Sequence, residues 1–306
     1  MNDVVLIPTF NRPEYLWLCL EYLAKAEGAA TKHIRIAHDC HINDTGDVRA
    51  NYQLTREVVE RFQSDTEFAS VSVLYRQPHH YIGNPLNFLE LYKDAHSDPQ
   101  LRYVYLVEDD VLVSGDFFRW HEAVQARGDY FVTVGWHCVR RPGPIQNDDP
   151  TQYIETTMDY SSIGVCWKRE KLAALVKHAT PLYYRDHRTY LLQAFRGNRI
   201  PAGQWTEQAG IITRLLHETG DRWVAWPTLR RCSHVGVSGY HRPNGFRFVG
   251  PLHNRIEALR KAVSDSCIVG MNKDFGGDIE PVLPEKPWQP EQLQVVQRFP
   301  YDGTIG

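Results

Sequence analysis

The stretch Tyr103-Val104-Tyr105-Leu106-Val107-Glu108-Asp109-Asp110 runs an apolar segment of strand length directly into three consecutive carboxylates. An uninterrupted apolar run of this kind reads as a strand buried on both faces, as in a parallel sheet covered by helices. Three acids at its end need water, a cation or hydrogen-bond donors, because packed like charges raise one another's pKa. A divalent ion would satisfy them; an exposed acidic turn closing a strand is the competing reading. Hard oxygen ligands suit Mg2+ or Mn2+, which would bridge the protein to a diphosphate and neutralise it as it leaves.

Upstream of this stretch, strand and helix alternate. Val4 to Pro8 reads as a strand and Thr9-Phe10-Asn11-Arg12 as a turn. Pro13 suits a first helical position, and Leu16, Leu20 and Leu23 follow at helical spacing. Strand His33 to His38, a helix around Leu54 to Phe62, strand Val71 to Tyr75 and helix Pro85 to Ala95 come next. The series predicts an α/β fold with a Rossmann-like, mostly parallel sheet flanked by helices. Ligands of such sheets bind beyond the carboxyl ends of the strands, and there the sequence is polar. Asn11 and Arg12 follow the first strand, Asp39 the second, Arg76 and His79 the third, and the three acids the fourth. Downstream, helix Phe117 to Ala126, strands Tyr130 to Trp136 and Ser162 to Trp167, helices Glu170 to Val176 and Glu207 to Glu218, and strand Trp223 to Trp226 are expected. Four prolines between Pro281 and Pro290 predict an extended surface arm.

Composition narrows the function classes. With 306 residues, 42% of them hydrophobic, the chain can bury a sizeable core. Its 34 basic and 37 acidic residues leave a formal charge of -3, which gives no general reason to bind nucleic acid or anionic membrane. The six cysteines have neither zinc-type spacing nor the density of a disulfide framework, which favours a reducing interior. Met1 to Pro8 lacks a basic n-region, and no stretch approaches the ~18 uninterrupted apolar residues of a membrane helix. A cytoplasmic location without a membrane segment is the expectation.

Glu108-Asp109-Asp110, continued by Val-Leu-Val-Ser-Gly-Asp116-Phe117-Phe118, resembles the acidic metal motif of GT-A glycosyltransferases. The likeness is to the N-acetylglucosaminyltransferase I family, and to family 2-like glycosyltransferases. Further segments match in the same order. Val4 to Leu20 resembles that family's first strand and turn, Ala37-His38-Asp39-Cys40-His41 its uracil-binding segment, and Trp205-Thr206-Glu207 its tryptophan-acid-acid segment. Trp226 to Gly239 resembles its closing segment. The match spans residues 4 to 240, specific in motif order and loose between motifs.

The resemblance implies a GT-A (nucleotide-diphospho-sugar transferase) fold and metal-dependent, inverting transfer of a sugar, GlcNAc or glucose, from a UDP donor to an acceptor hydroxyl. Mn2+ or Mg2+ and the UDP-sugar would be its cofactors; a glycan, a nucleic-acid base or a small molecule would supply the hydroxyl. On this footing Asp110 is the direct metal ligand, while Glu108 and Asp109 position the ion and the ribose. Pro8, Thr9 and Asn11 line the nucleotide, Arg12 pairs with a phosphate or stacks near the base, and Asp39 accepts the uracil N3 hydrogen. Gly164 lets the donor sugar approach the backbone. Glu207, where the family typically has Asp, is the general base. Read without the resemblance, Asp39 is equally a strand-end residue in a local turn, Arg12 a solvated arginine, and Glu207 an acid favoured at a helix start. Asn84, in Gly83-Asn84-Pro85, is either a nucleotide contact or part of a plain turn. His234 is either a second metal ligand or a histidine hydrogen-bonded within its loop. The expected organisation is a transferase domain over 1–245, with a nucleotide-binding half 1–110 and a donor-sugar and acceptor half 111–245, followed by a C-terminal extension over 246–306. A modified DNA base or small metabolite as acceptor, or a catalytically inactive nucleotide-sugar binder on the same fold, are the competing functions.

Overall fold

From Asp3 onward every residue of the first strand is buried, which leaves it no place but the middle of a covered sheet. The computed structural model describes residues 2–40, 46–64, 67–77, 85–136, 149–158, 160–195, 207–236, 248–264 and 288–300. Strand and helix alternate through β1 (Asn2–Thr9), α1 (Pro13–Lys25), β2 (Lys32–His38), α2 (Gly46–Ser64), β3 (Ser70–Tyr75), α3 (Pro85–Ser97) and β4 (Leu101–Leu106). There follow β5 (Val111–Val113), α4 (Phe117–Arg127), β6 (Val132–Val134), β7 (Gln152–Thr156) and β8 (Val165–Lys168). Four helices come next: α5 (Ala173–Val176), α6 (Pro181–Arg185), α7 (His187–Ala194) and α8 (Glu207–Thr219). The described chain closes with β9 (Val224–Pro227), β10 (Cys232–His234), α9 (Leu252–Ser264) and β11 (Gln294–Phe299).

Among the described residues nine strands form one sheet in the order β11-β7-β9-β6-β8-β4-β1-β2-β3, and β5 and β10 form a separate antiparallel ribbon. β1 runs parallel to β2 and β4, and β2 to β3. The sheet is mostly parallel and flanked by helices, as the sequence predicts. β7 runs antiparallel to β9, and in the middle of the sheet β8 is antiparallel to both β4 and β6. Because β8 runs backwards, its start lies beside the end of β4, with Leu106 opposite Val165. That reversal brings Gly164 to the edge of the sheet where the acids emerge.

One face packs Phe88, Leu89 and Tyr92 of α3 against Ile211, Ile212, Leu215 and Leu216 of α8 and Trp167 of β8. The other packs Leu16, Leu20 and Leu23 of α1 and Phe117 and Phe118 of α4 over Val5, Ile7 and Tyr105. Portions of the C-terminal segment are built into this body. Ile256, Leu259 and Val263 of α9 pack on Tyr15 and Leu18 of α1, and β11 pairs parallel to β7. The buried Trp288 donates its indole N–H to Asp116 Oδ2 at 2.8 Å, with the Arg119 guanidinium 4.5 Å from its ring. Of the proline-rich stretch, 281–287 lies outside the described residues. Among the described residues no helix is long and apolar enough to cross a membrane.

Burial holds three histidines neutral: His38 down at about 4, His121 at about 3 and His178 at about 4, against an ordinary 6.5. The unfolded chain therefore takes up protons that the native one refuses, so stability falls as pH drops below 6.5. The loss rises to about 1.4 kcal/mol per pH unit for each histidine. Urea midpoints should drop between pH 7.5 and pH 5, and His121→Phe should remove about a third of that drop. A midpoint indifferent to pH over this range rules the account out.

Candidate active site

Strand register assembles the site. Thr9 stands opposite His38 across β1 and β2, and Leu6 opposite Leu106 across β1 and β4, so the segments after β1, β2 and β4 emerge side by side. The carbonyl of Glu108 accepts the Val111 N–H at 3.0 Å, closing the turn that carries the acids into β5. The turn buries Asp109 and Asp110, to 1% and 4% exposure, while Glu108 is half-buried.

Partners for the two buried carboxylates come from β1 and the turn after it. Thr9 Oγ1 donates to Asp109 Oδ2 at 2.6 Å, and the Arg12 guanidinium donates to Asp109 Oδ1 and, at 2.6 Å, to Asp110 Oδ2. Arg12 also lies 5.2 Å from the centre of the Tyr15 ring. Burial pushes the Asp109 carboxyl up against the pull of Arg12. Burial resists ionisation of Asp110 too, but there Arg12 and His234 win and hold the carboxyl well below the usual range. Burial likewise opposes charge on Arg12, and the two acids overcome it.

The β5–β10 ribbon closes the site from the other side. His234 pairs with Val111, the Val235 N–H donates to the Asp110 carbonyl at 2.8 Å, and His234 Nε2 sits 3.3 Å from Asp110 Oδ2. The next residue, Gly236, has to be glycine: a Cβ there would stand 2.4 Å from Asp110 Oδ2 and 3.0 Å from His234 Nε2. Gly164 is constrained from below. It has φ +59°, and a Cβ would meet Cys232 Sγ at 2.7 Å.

Asp110 Oδ1 is buried with no hydrogen-bond partner among the described residues. An orphaned carboxylate oxygen fits a hard cation, and Mg2+-type ions are held by one or two protein ligands, with water and phosphate oxygens completing the shell. Asp110 with His234 would be such a pair; among the described residues no three His, Cys, Asp or Glu side chains converge into a full protein cage.

Asp39 donates its backbone N–H to the Thr9 carbonyl at 2.9 Å, and its Oδ1 accepts the Cys40 N–H at 3.0 Å, a local contact like the strand-end alternative. Pro8 is a buried member of β1 opposite Ala37. The Asn11 carbonyl accepts Asn51 Nδ2 at 2.9 Å. Arg255 of α9 holds that asparagine at 2.8 Å and Glu14 at 2.6 Å, so helices α2 and α9 brace the turn that carries Arg12. Asn84 lies outside the described residues, as do His79, Trp205 and Thr206; Glu207 begins α8, with its side chain also outside them.

Gly236 lies in the closing segment that the sequence singles out; its contact with Asp110 is what the structure adds. Two features were not anticipated. Arg255 is far from the site in sequence, and nothing local announces its role. At the end of β2 the His38 ring lies 4.1 Å from Tyr52 and 5.8 Å from Tyr75, with Arg56 over Tyr75 at 5.0 Å. A histidine followed by an aspartate gave no hint of that stack.

No protein-family profile and no curated protein matches the chain. Among solved structures, the S. aureus TarS fragment 1–349 in complex with UDP-GlcNAc is similar at 14% identity, covering 86% of this chain and 66% of that one, with a TM-score of 0.48. In another crystal structure of TarS 1–349 this chain spans 58% of that chain's length. The galactosyltransferase LgtC in complex with donor and acceptor sugar analogs is similar at 10% identity over 70% of each chain, TM-score 0.40. The mannosyltransferase PcManGT from Pyrobaculum calidifontis, in complex with GDP-Man and Mn2+, is similar at 13% identity over 89% of this chain and 78% of that one, TM-score 0.41.

Proposed function

We propose that the chain is an inverting GT-A glycosyltransferase that moves a sugar, GlcNAc or glucose, from a UDP donor to an acceptor hydroxyl. The observation that carries the reading is the unpartnered, buried Oδ1 of Asp110 at the lip of the central strands, beside Arg12 and His234. Asp110 and His234 would hold Mn2+ or Mg2+, which when bound supplies positive charge to the departing diphosphate. Thr9 keeps the Asp109 carboxylate turned toward Arg12. The flat fork of Arg12 suits two phosphate oxygens at once. Gly236 lets the ribbon close on the carboxylate without a side chain in the way.

In this reading Asp39 receives the uracil N3–H, Glu108 and Asn11 face the nucleotide, and Glu207 takes the acceptor proton. The transferase site belongs to residues 1–245, and Arg255 braces it from the segment 246–306. The test is UDP release across a panel of UDP- and GDP-sugars with Mn2+, Mg2+ or chelator. Glycan, small-molecule and modified-base acceptors are added in turn. UDP-GlcNAc or UDP-glucose turnover that needs a divalent ion, and that Glu207→Gln lowers by at least about 10²-fold, is expected. Turnover unaffected by chelator and by Glu207→Gln would defeat the assignment.

A further inference from the structure

Arg12 supplies positive charge at the spot where a divalent ion would bring it. Its two terminal nitrogens take one carboxylate each, Asp109 and Asp110, while Thr9 fills the remaining oxygen of Asp109 at 2.6 Å. Asp110 Oδ1 alone is left without a donor among the described residues. The guanidinium cancels one of the pair's two negative charges. An entering divalent ion would then meet a fixed positive charge a few ångströms away, in a buried setting where water screens poorly.

We propose that Arg12 is the resident counter-ion of the Asp109–Asp110 pair, and that it holds the site against a free divalent ion until a diphosphate draws the guanidinium away. This rests on the metal-dependent reading above and adds an order of events, in which nucleotide and ion load together rather than ion first. Local structure permits the exchange. Arg12 is the N-cap of α1, in a short turn between β1 and Pro13, with its side chain 19% exposed toward solvent. The Tyr15 ring at 5.2 Å offers the guanidinium an aromatic surface to lie on. A diphosphate presents more negative charge and the same bidentate geometry, so it competes with the carboxylates on their own terms. Without the arginine the two buried acids would repel each other.

Manganese binding read by loss of the free-ion electron paramagnetic resonance signal tests this without turnover. Nucleotide-free wild type should bind Mn2+ weakly, and UDP should tighten binding by about ten-fold or more, corrected for Mn2+ held by UDP in solution. Arg12→Gln, without nucleotide, should bind Mn2+ about ten-fold tighter than wild type and lose most of the UDP effect. Arg12→Lys, a single point charge that cannot bridge both acids, should fall between them, and it serves if the Gln variant does not fold. Equal nucleotide-free affinity in wild type and in the folded variants overturns the counter-ion role while the metal reading stands. Absence of Mn2+ binding to wild type even with UDP overturns both.

Discussion

Asp110→Asn is expected to lower sugar transfer by at least about 10³-fold in kcat/KM, close to 4 kcal/mol of transition-state stabilisation, while the protein stays folded. The substitution keeps the shape of the side chain and the backbone bond from Val235 to the Asp110 carbonyl. What it removes is the negative charge that Arg12 and His234 share, and with it the hard oxygen ligand at the orphaned position. Asp109→Asn should behave differently. Both Asp109 oxygens already accept protein donors, from Thr9 and Arg12, so that change should act more on thermal stability and less on turnover. UDP release and thermal melting of the two variants together separate the roles. An Asp110→Asn enzyme with near wild-type turnover would remove the basis of the functional assignment.

The second large effect lies away from the chemistry. Arg255 and Glu14 form a buried pair at 2.6 Å, with side chains 8% and 4% exposed, that ties α9 to α1. Removing one partner of such a pair strands the other charge, so Glu14→Ala should cost about 3–5 kcal/mol in urea unfolding. Arg255→Ala should cost a similar amount at pH 7.5 and less at pH 5. Burial already holds the Glu14 carboxyl above its ordinary range against the pull of Arg255. Once Arg255 is gone the carboxyl climbs further, and the native state recovers stability on acidification by taking up a proton. Since the buried histidines titrate equally in both proteins, they cancel from the difference. A deficit for Arg255→Ala that widens toward pH 5 would contradict this electrostatic account.

Strands β1 to β4 and their helices were legible because each is a continuous apolar run or a helical stripe ending in polar turn residues. The acids were legible because three in a row after the apolar run to Val107 need water, donors or a cation, although an exposed acidic turn also fitted the pattern. What escaped has physical causes. β5 and β10 are three residues long, too short for a period to show. β11 is half-buried at a sheet edge, where Gln294, Gln297 and Arg298 dilute the pattern. Arg255 meets Glu14 across 241 positions, a contact set by how α9 lands on α1 and by nothing in either segment alone. Gly236 falls in the closing segment the sequence points to, but its fit against Asp110 is read only from a distance that exists once the ribbon has formed.

The pairing of β11 with β7 bears on how the chain matures as it is made. The partner of residues 152–156 is residues 294–299, so this seam of the sheet waits until the segment carrying β11 has left the ribosome. Contacts that distant in sequence form late, because a long loop must be closed before they repay anything. Until then β7 presents a bare backbone edge, an open template for a stray strand, and β11 acts as the protein's own cover for it.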